Sequence, residues 1–157
     1  MGLPYYIERG IELAHNESAR LIIFEIDTFG GRIDAATKIK DLILSSEIET
    51  IAFINRRAIS AGALISLSCD KIFITDGGTI GAATAVNSQG EKASEKVISY
   101  MREEMASTAE ANNRSRQIAE AMVDENISID FIVGINKDTI KSDLIIGFQK
   151  GKLITLS

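Results

Sequence analysis

The chain has 157 residues, 45% of them hydrophobic, and a formal charge of −5, enough apolar mass for one substantial core with no need for a second domain. No Lys/Arg cluster stands out to neutralise phosphates, so nucleic acid is not an expected partner. A single cysteine, Cys69, excludes an internal disulfide, and with His15 as the sole histidine no Cys/His zinc constellation can be built.

Ile7, Ile11 and Ala14 fall on one helical face, and the polar HNES that follows ends this helix. Leu21 to Asp27 reads as a buried strand running into Thr28-Phe29-Gly30-Gly31, a turn whose missing side chains let another backbone approach. Ala36, Ile39 and Ile43 repeat at helical spacing, Ser45-Ser46 close that helix, and Thr50 to Ile54 form the next strand; the βαβ order favours parallel strands. Asn55 to Ile59 reads as a loop into Ser60, residues 60–68 as a short buried helix, and Lys71 to Thr75 as another strand. The polar stretch from Asn87 to Glu95 is expected on the surface. Val97, Met101, Met105 and Thr108 share a face in a helix from Lys96 to about Ala111, and Ile118, Met122 and Val123 mark a shorter one. Leu144 to Phe148 and Lys152 to Thr155 read as two strands around Gln149-Lys150-Gly151. No segment approaches the ~20 consecutive apolar residues that span a bilayer. The expected class is α/β, with functional groups at the carboxyl ends of the strands.

Ser60 stands between an apolar run and a helix, in Ile59-Ser60-Ala61-Gly62-Ala63. A serine there is either an ordinary N-cap or a nucleophile whose neighbouring amides, at a helix start, stabilise a developing oxyanion. The Gly30-Gly31 turn favours acyl chemistry, and it matches neither G-x-G-x-x-G nor G-x-x-x-x-G-K, so it does not read as a nucleotide loop. A serine hydroxyl needs a base. His15 precedes the strand, the glycine turn and the serine, and no motif ties it to them, so a Ser-His-Asp triad is not expected. A lysine serves instead where burial removes the hydration of its ammonium.

Four segments arrive in a recognisable order: IDTFGGRIDA near residue 30, ISAGALISLSCD after residue 58, TIGAAT at 79–84, and a stretch carrying Lys96, Ala109, Glu110 and Arg114, read as one helix. With them the chain resembles the membrane-bound ClpP-class serine proteases of the NfeD type. The resemblance implies the ClpP/crotonase-like α/β fold, built of repeated β-β-α/βαβ units with a mostly parallel sheet flanked by helices. It implies a serine endopeptidase with Ser60 as nucleophile and Lys96, at the family's offset before Ala109, Glu110 and Arg114, as base. Lys92 is the nearest rival. The oxyanion hole would use the Ala61 amide and a glycine amide, Gly31 in preference to Gly30, with no metal or cofactor. Implied partners are apolar membrane-associated polypeptide substrates, a stomatin-like membrane protein, and further copies of the chain in a homodimer or higher oligomer. Residues 1–157 would be one soluble protease domain cut before a final helix, from a membrane protein, and extracytoplasmic or membrane-associated.

Three departures from the family's pattern bear on substrate preference. Phe29 replaces a proline and is expected to line a substrate pocket, Ala85 replaces another proline, and Arg56-Arg57 stand where relatives are small or apolar. Two other classes share the architecture: a crotonase-like acyl-CoA enzyme, and a non-catalytic membrane-protein scaffold.

Overall fold

The structure is a computed structural model, and it describes residues 2–86 and 89–129. The strand pair expected within 144–155 lies outside them. Helix α1 (Leu3–Asn16) starts with Pro4 in its first turn, where proline's missing N–H would have no helical partner in any case. It is followed by β1 (Leu21–Thr28), α2 (Ile33–Leu44), β2 (Glu49–Ile59), α3 (Ala61–Ser68), β3 (Lys71–Ile74), β4 (Thr79–Gly81), α4 (Glu95–Ala111) and α5 (Arg116–Val123).

Every strand pair is parallel, as the βαβ order predicts. β1 holds one edge of β2, while β3 pairs with Ile51–Ile54 and β4 with Arg57–Ile59 on β2. One expectation changes here, and one strand is added to those read from the sequence. Asn55–Ile59 is not a loop but the second half of β2, and Thr79–Gly81 is a strand pairing with it. A register shift between Ile26 and Thr28, which pair with Ile54 and Ala58, accommodates the longer β2 and re-aims Asp27.

The side chains alternate as a pleated sheet requires. Ile26, Thr50, Ala52, Ile54 and Ala58 are buried beneath α2 and α3, together with Ile39, Leu64 and Ile80. Met101 and Met105 of α4 lie in the same core, matching a packing role for both. β1 is therefore buried on one face only, not throughout as its apolar run indicated. The opposite face carries Ile23, 60% exposed, and Phe73, 55% exposed, and no described helix covers it. Parallel sheets normally bury both faces, whereas here Ile23 and Phe73, with exposed Glu25 and Asn55 on the same face, lie uncovered among the described residues.

The turn between α3 and β3 is tied to β2 by Asp70, which accepts the Thr50 amide and hydroxyl, both at 2.7 Å, while the Asp70 amide donates to Thr50 Oγ1 at 3.0 Å. Burial pushes the Asp70 carboxyl up, but the Thr50 hydrogen bonds outweigh it and hold the group below its ordinary value. A carboxyl depressed in the fold binds fewer protons than in the unfolded chain, so its contribution is present above the unfolded value and lost as pH falls through the folded one. Thermal unfolding followed from neutral pH into acid should show stability falling below about pH 4. Asp70→Asn should flatten part of that slope; an unchanged slope would remove Asp70 from this role.

Candidate active site

Ser60 joins the end of β2 to the start of α3 with φ 55° and ψ −114°, a backbone conformation that costs a non-glycine residue on the order of 1–3 kcal/mol. A strained serine at a strand–turn–helix junction is the arrangement that lifts a nucleophile clear of its own backbone. The N-cap reading fails on the geometry. The hydroxyl makes no capping hydrogen bond, and no described residue hydrogen-bonds to it. The turn is held by its backbone instead, the Ser60 amide donating to the Gly81 carbonyl at 2.9 Å.

Gly81 thus explains part of the TIGAAT motif. β4 lays Ile80 beside Ala58, the Gly81 carbonyl anchors Ser60, the Ala83 amide donates to the Met122 carbonyl at 2.7 Å, and Thr84 Oγ1 donates to that of Val123 at 2.7 Å. Sequence reading missed this support, whose one sequence signal was Gly81 itself, three residues after Gly77-Gly78; its φ is 127°.

The Gly30 turn is brought directly against the serine. A Cβ added at Gly30 would lie 2.9 Å from Ser60 Cβ and 3.3 Å from Oγ, and its φ of 121° is one that L side chains rarely adopt. Thr28 shapes the turn, its Oγ1 accepting the Gly30 amide at 3.1 Å. The Gly31 amide has no hydrogen-bond partner among the described residues, and neither do the amides of Ala61 and Gly62 at the start of α3. A Cβ at Gly31 would meet nothing within 4 Å, so the fold itself does not require glycine there. Gly62 differs, since its Cβ would come within 2.6 Å of Thr28 Cγ2, and its bareness lets α3 approach β1. Gly30→Ala should accordingly lose about 1–3 kcal/mol of stability from backbone strain and contact, whereas Gly31→Ala should unfold like the parent. Equal midpoints for the two variants would contradict this packing.

An apolar cavity of about 450 Å³ runs from Tyr6 and Ile7 of α1, past Ile23 and Ile65, to Gly31 and Ala61. Phe29 is not among the residues that line this cavity; it immediately precedes Gly30, which is, and stands 75% exposed with the Arg57 guanidinium 4.5 Å above the ring centroid.

The lysines are not brought to the serine in the same way. Lys96 is exposed in the first turn of α4, and the buried residues Ile98, Met101, Met105 and Thr108 lie on the opposite face. No hydrogen bond or ion pair joins it to Ser60 or to any other described residue. Lys92 is exposed and paired with Glu125 at 2.9 Å, and this hydrogen bond holds its ammonium above the ordinary value, which disfavours it as a base. His15 lines a cleft with Ser45–Ile48, before the start of β2, while Ser60 follows its end. The 11 residues of β2 separate the two by roughly 30 Å. Arg114 lies beyond the end of α4, not on it, and is structural. Its guanidinium donates to the Leu67 carbonyl at 2.9 Å, at the C-terminal end of α3, and to the Asp70 carbonyl at 3.0 Å in the turn that follows. Cys69 is fully buried, which pushes its thiol up to about 12 and leaves it inert. Among the described residues no cluster of His, Cys, Asp or Glu has the makings of a metal site.

The sequence profile described as NfeD1b, N-terminal domain, matches residues 1–144. The chain belongs to the NfeD1b N-terminal domain family. It is 37% identical over 160 residues to the membrane protein NfeD1b of Bacillus subtilis (strain 168), covering 99% of this chain and 37% of that protein. It is 32% identical over 130 residues to the membrane-bound protease PH1510 of Pyrococcus horikoshii, covering 78% of this chain and 30% of the relative. This NfeD domain therefore spans about a third of the length of the curated relatives it matches.

Among solved structures, the 1510-N membrane-bound stomatin-specific protease, in complex with a substrate peptide, matches with a TM-score of 0.73 and 30% identity, over 80% of this chain and 61% of that one. ClpP1 from Listeria monocytogenes matches with a TM-score of 0.61 and 22% identity, over 94% of this chain and 85% of that one, a likeness of fold alone. The expected ClpP-like α/β class stands, and the NfeD domain is related to membrane-bound proteases. No described helix is long and apolar enough to cross a membrane.

Proposed function

We propose that this NfeD domain is a serine endopeptidase that cleaves apolar, membrane-associated polypeptides through a Ser60–Lys96 dyad. The observation that carries the reading is the strained, uncapped Ser60 at a strand–helix junction, pressed against the bare Gly30. Ser60 Oγ attacks the scissile carbonyl, Lys96 takes its proton and returns it to the leaving amine, and water then releases the acyl group from Ser60. The unpartnered amides of Gly31 and Ala61 suit an oxyanion hole, and the Gly30 amide, engaged with Thr28, does not. Lys96 is exposed. A bound polypeptide laid over the start of α4 removes its hydration and favours the free amine. The apolar cavity beside Gly31 supports an apolar substrate, and relatedness to a stomatin-specific protease supports a stomatin-like membrane protein as its source.

Fluorophosphonate labelling followed by peptide mapping tests the reading. The expected adduct is on Ser60, with buried Cys69 unmodified. Absence of the adduct, or turnover of acyl-CoA thioesters in place of peptides, would sink it. We also propose that the uncovered Ile23/Phe73 face packs against a second copy of the chain. Light scattering across a concentration series should report a dimer or larger assembly; a monomer at every concentration reads against it.

A further inference from the structure

Phe29 is the most exposed large hydrophobic residue among those described, yet it does not hang free. One ring face is covered by the Arg57 guanidinium, 4.5 Å from the centroid, and Arg57 Nε is paired with Asp27 Oδ1 at 3.2 Å. The three groups form a stack, Asp27–Arg57–Phe29, in which the ring is the most accessible member: the Arg57 and Asp27 side chains are 32% and 40% exposed, and Phe29 as a whole residue is 75% exposed. Each layer is rooted in an element of the site. Asp27 sits in the irregularity of β1, Arg57 lies on β2 three residues before Ser60 and paired with Thr79 of β4, and Phe29 immediately precedes the glycine that presses on Ser60. A cation over an aromatic face contributes about 0.5–1 kcal/mol at an exposed site and fixes the plane of the ring. The ring is 75% exposed although Arg57 covers one of its faces, and the space off Gly31, two residues on, is open, since a Cβ there would meet nothing within 4 Å.

An exposed aromatic side chain, pinned from behind at the rim of a site, is a platform and not a core element. We propose that Phe29 is a specificity-determining residue that receives an apolar or aromatic side chain of the polypeptide next to the bond under attack, and that Arg57 is a positioning residue that holds the ring for it. The chemistry selects apolar side chains over carboxylates, because the guanidinium is already paired with Asp27 and the outermost group is the ring. This deepens the peptidase reading and rests on it for the word substrate, but the surface itself is tested without turnover.

The probe is a set of acetylated and amidated fluorescent peptides of one apolar sequence, carrying Phe, Leu, Ala, Asp or Lys at each position in turn. Affinities are measured by anisotropy on the full chain carrying Ser60→Ala. One position should prefer Phe and Leu over Ala by roughly 10-fold or more. Adding Phe29→Ala should abolish that preference while leaving the Ala peptide's affinity unchanged, and Phe29→Tyr should retain it. Arg57→Met, which keeps an unbranched chain without the planar cation, should shrink the preference and leave the Ala peptide unaffected, which a general loss of structure would not do. A preference for Asp that Arg57→Met removes, an equal loss for every peptide in Phe29→Ala, or no binding at all would overturn the proposal. If the Phe29-dependent preference is found but the Ser60 enzyme cleaves none of these peptides, the hydrolytic reading fails and the platform stands.

Discussion

Ser60→Ala should reduce peptide hydrolysis by roughly 10,000-fold or more and eliminate fluorophosphonate labelling, with the unfolding midpoint nearly unchanged. The activity loss follows from removing the attacking oxygen, for which no neighbouring group substitutes. The stability expectation follows from the environment. The hydroxyl is not bonded to any described residue, alanine tolerates a φ of 55° no better than serine does, and the turn is held by the Ser60 amide on Gly81, which the substitution keeps. Ser60→Gly separates strain from chemistry. It should be equally inactive yet more stable by about 1 kcal/mol, because glycine adopts positive φ without penalty. Turnover at the parent rate in either variant would remove Ser60 from the reaction, and a large drop in stability for Ser60→Ala would mean that the hydroxyl is structural.

Lys96→Ala should lower the hydrolytic rate by about 100- to 10,000-fold, the range for loss of a general base, without altering stability, since Lys96 is exposed and pairs with no described residue. Only a free amine accepts the serine proton, so the parent's rate should rise toward alkaline pH and the variant's residual rate should lose that rise. Lys92→Ala and His15→Ala are the controls. Lys92 is held as a cation by Glu125, and His15 lies at the other end of β2 from Ser60, so both should retain the parent profile. A Lys96→Ala enzyme that works at the parent rate would assign the base to another group.

The elements read most easily from the chain were those whose burial follows a simple period. Ala36, Ile39 and Ile43 announced α2, and all three are buried; Met101, Met105 and Thr108 did the same for α4. The second half of β2 escaped because its polar residues obtain partners from elsewhere in the chain. Asn55 Nδ2 donates to Glu25 Oε1 at 2.8 Å, Arg57 pairs with Asp27 and stacks on Phe29, and the backbone pairs with β4, about twenty residues downstream. Nothing local in Asn55-Arg56-Arg57 distinguishes such a strand from a loop. Arg114 was visible as a motif residue, but its role at the end of α3 depends on carbonyls more than forty residues earlier in the chain.

The sequence by itself determined the α/β class, the parallel strands, and a serine and a Gly-Gly turn at the carboxyl ends of two of them, because periodicity and backbone freedom are properties of adjacent residues. Only the tertiary structure decided that Gly30 presses on Ser60, that Gly81 holds the Ser60 turn, that His15 lies at the far end of β2, and that Arg57 pins Phe29. Each of these depends on how segments distant in the chain are placed, where packing and pairing set the outcome and local preference does not reach.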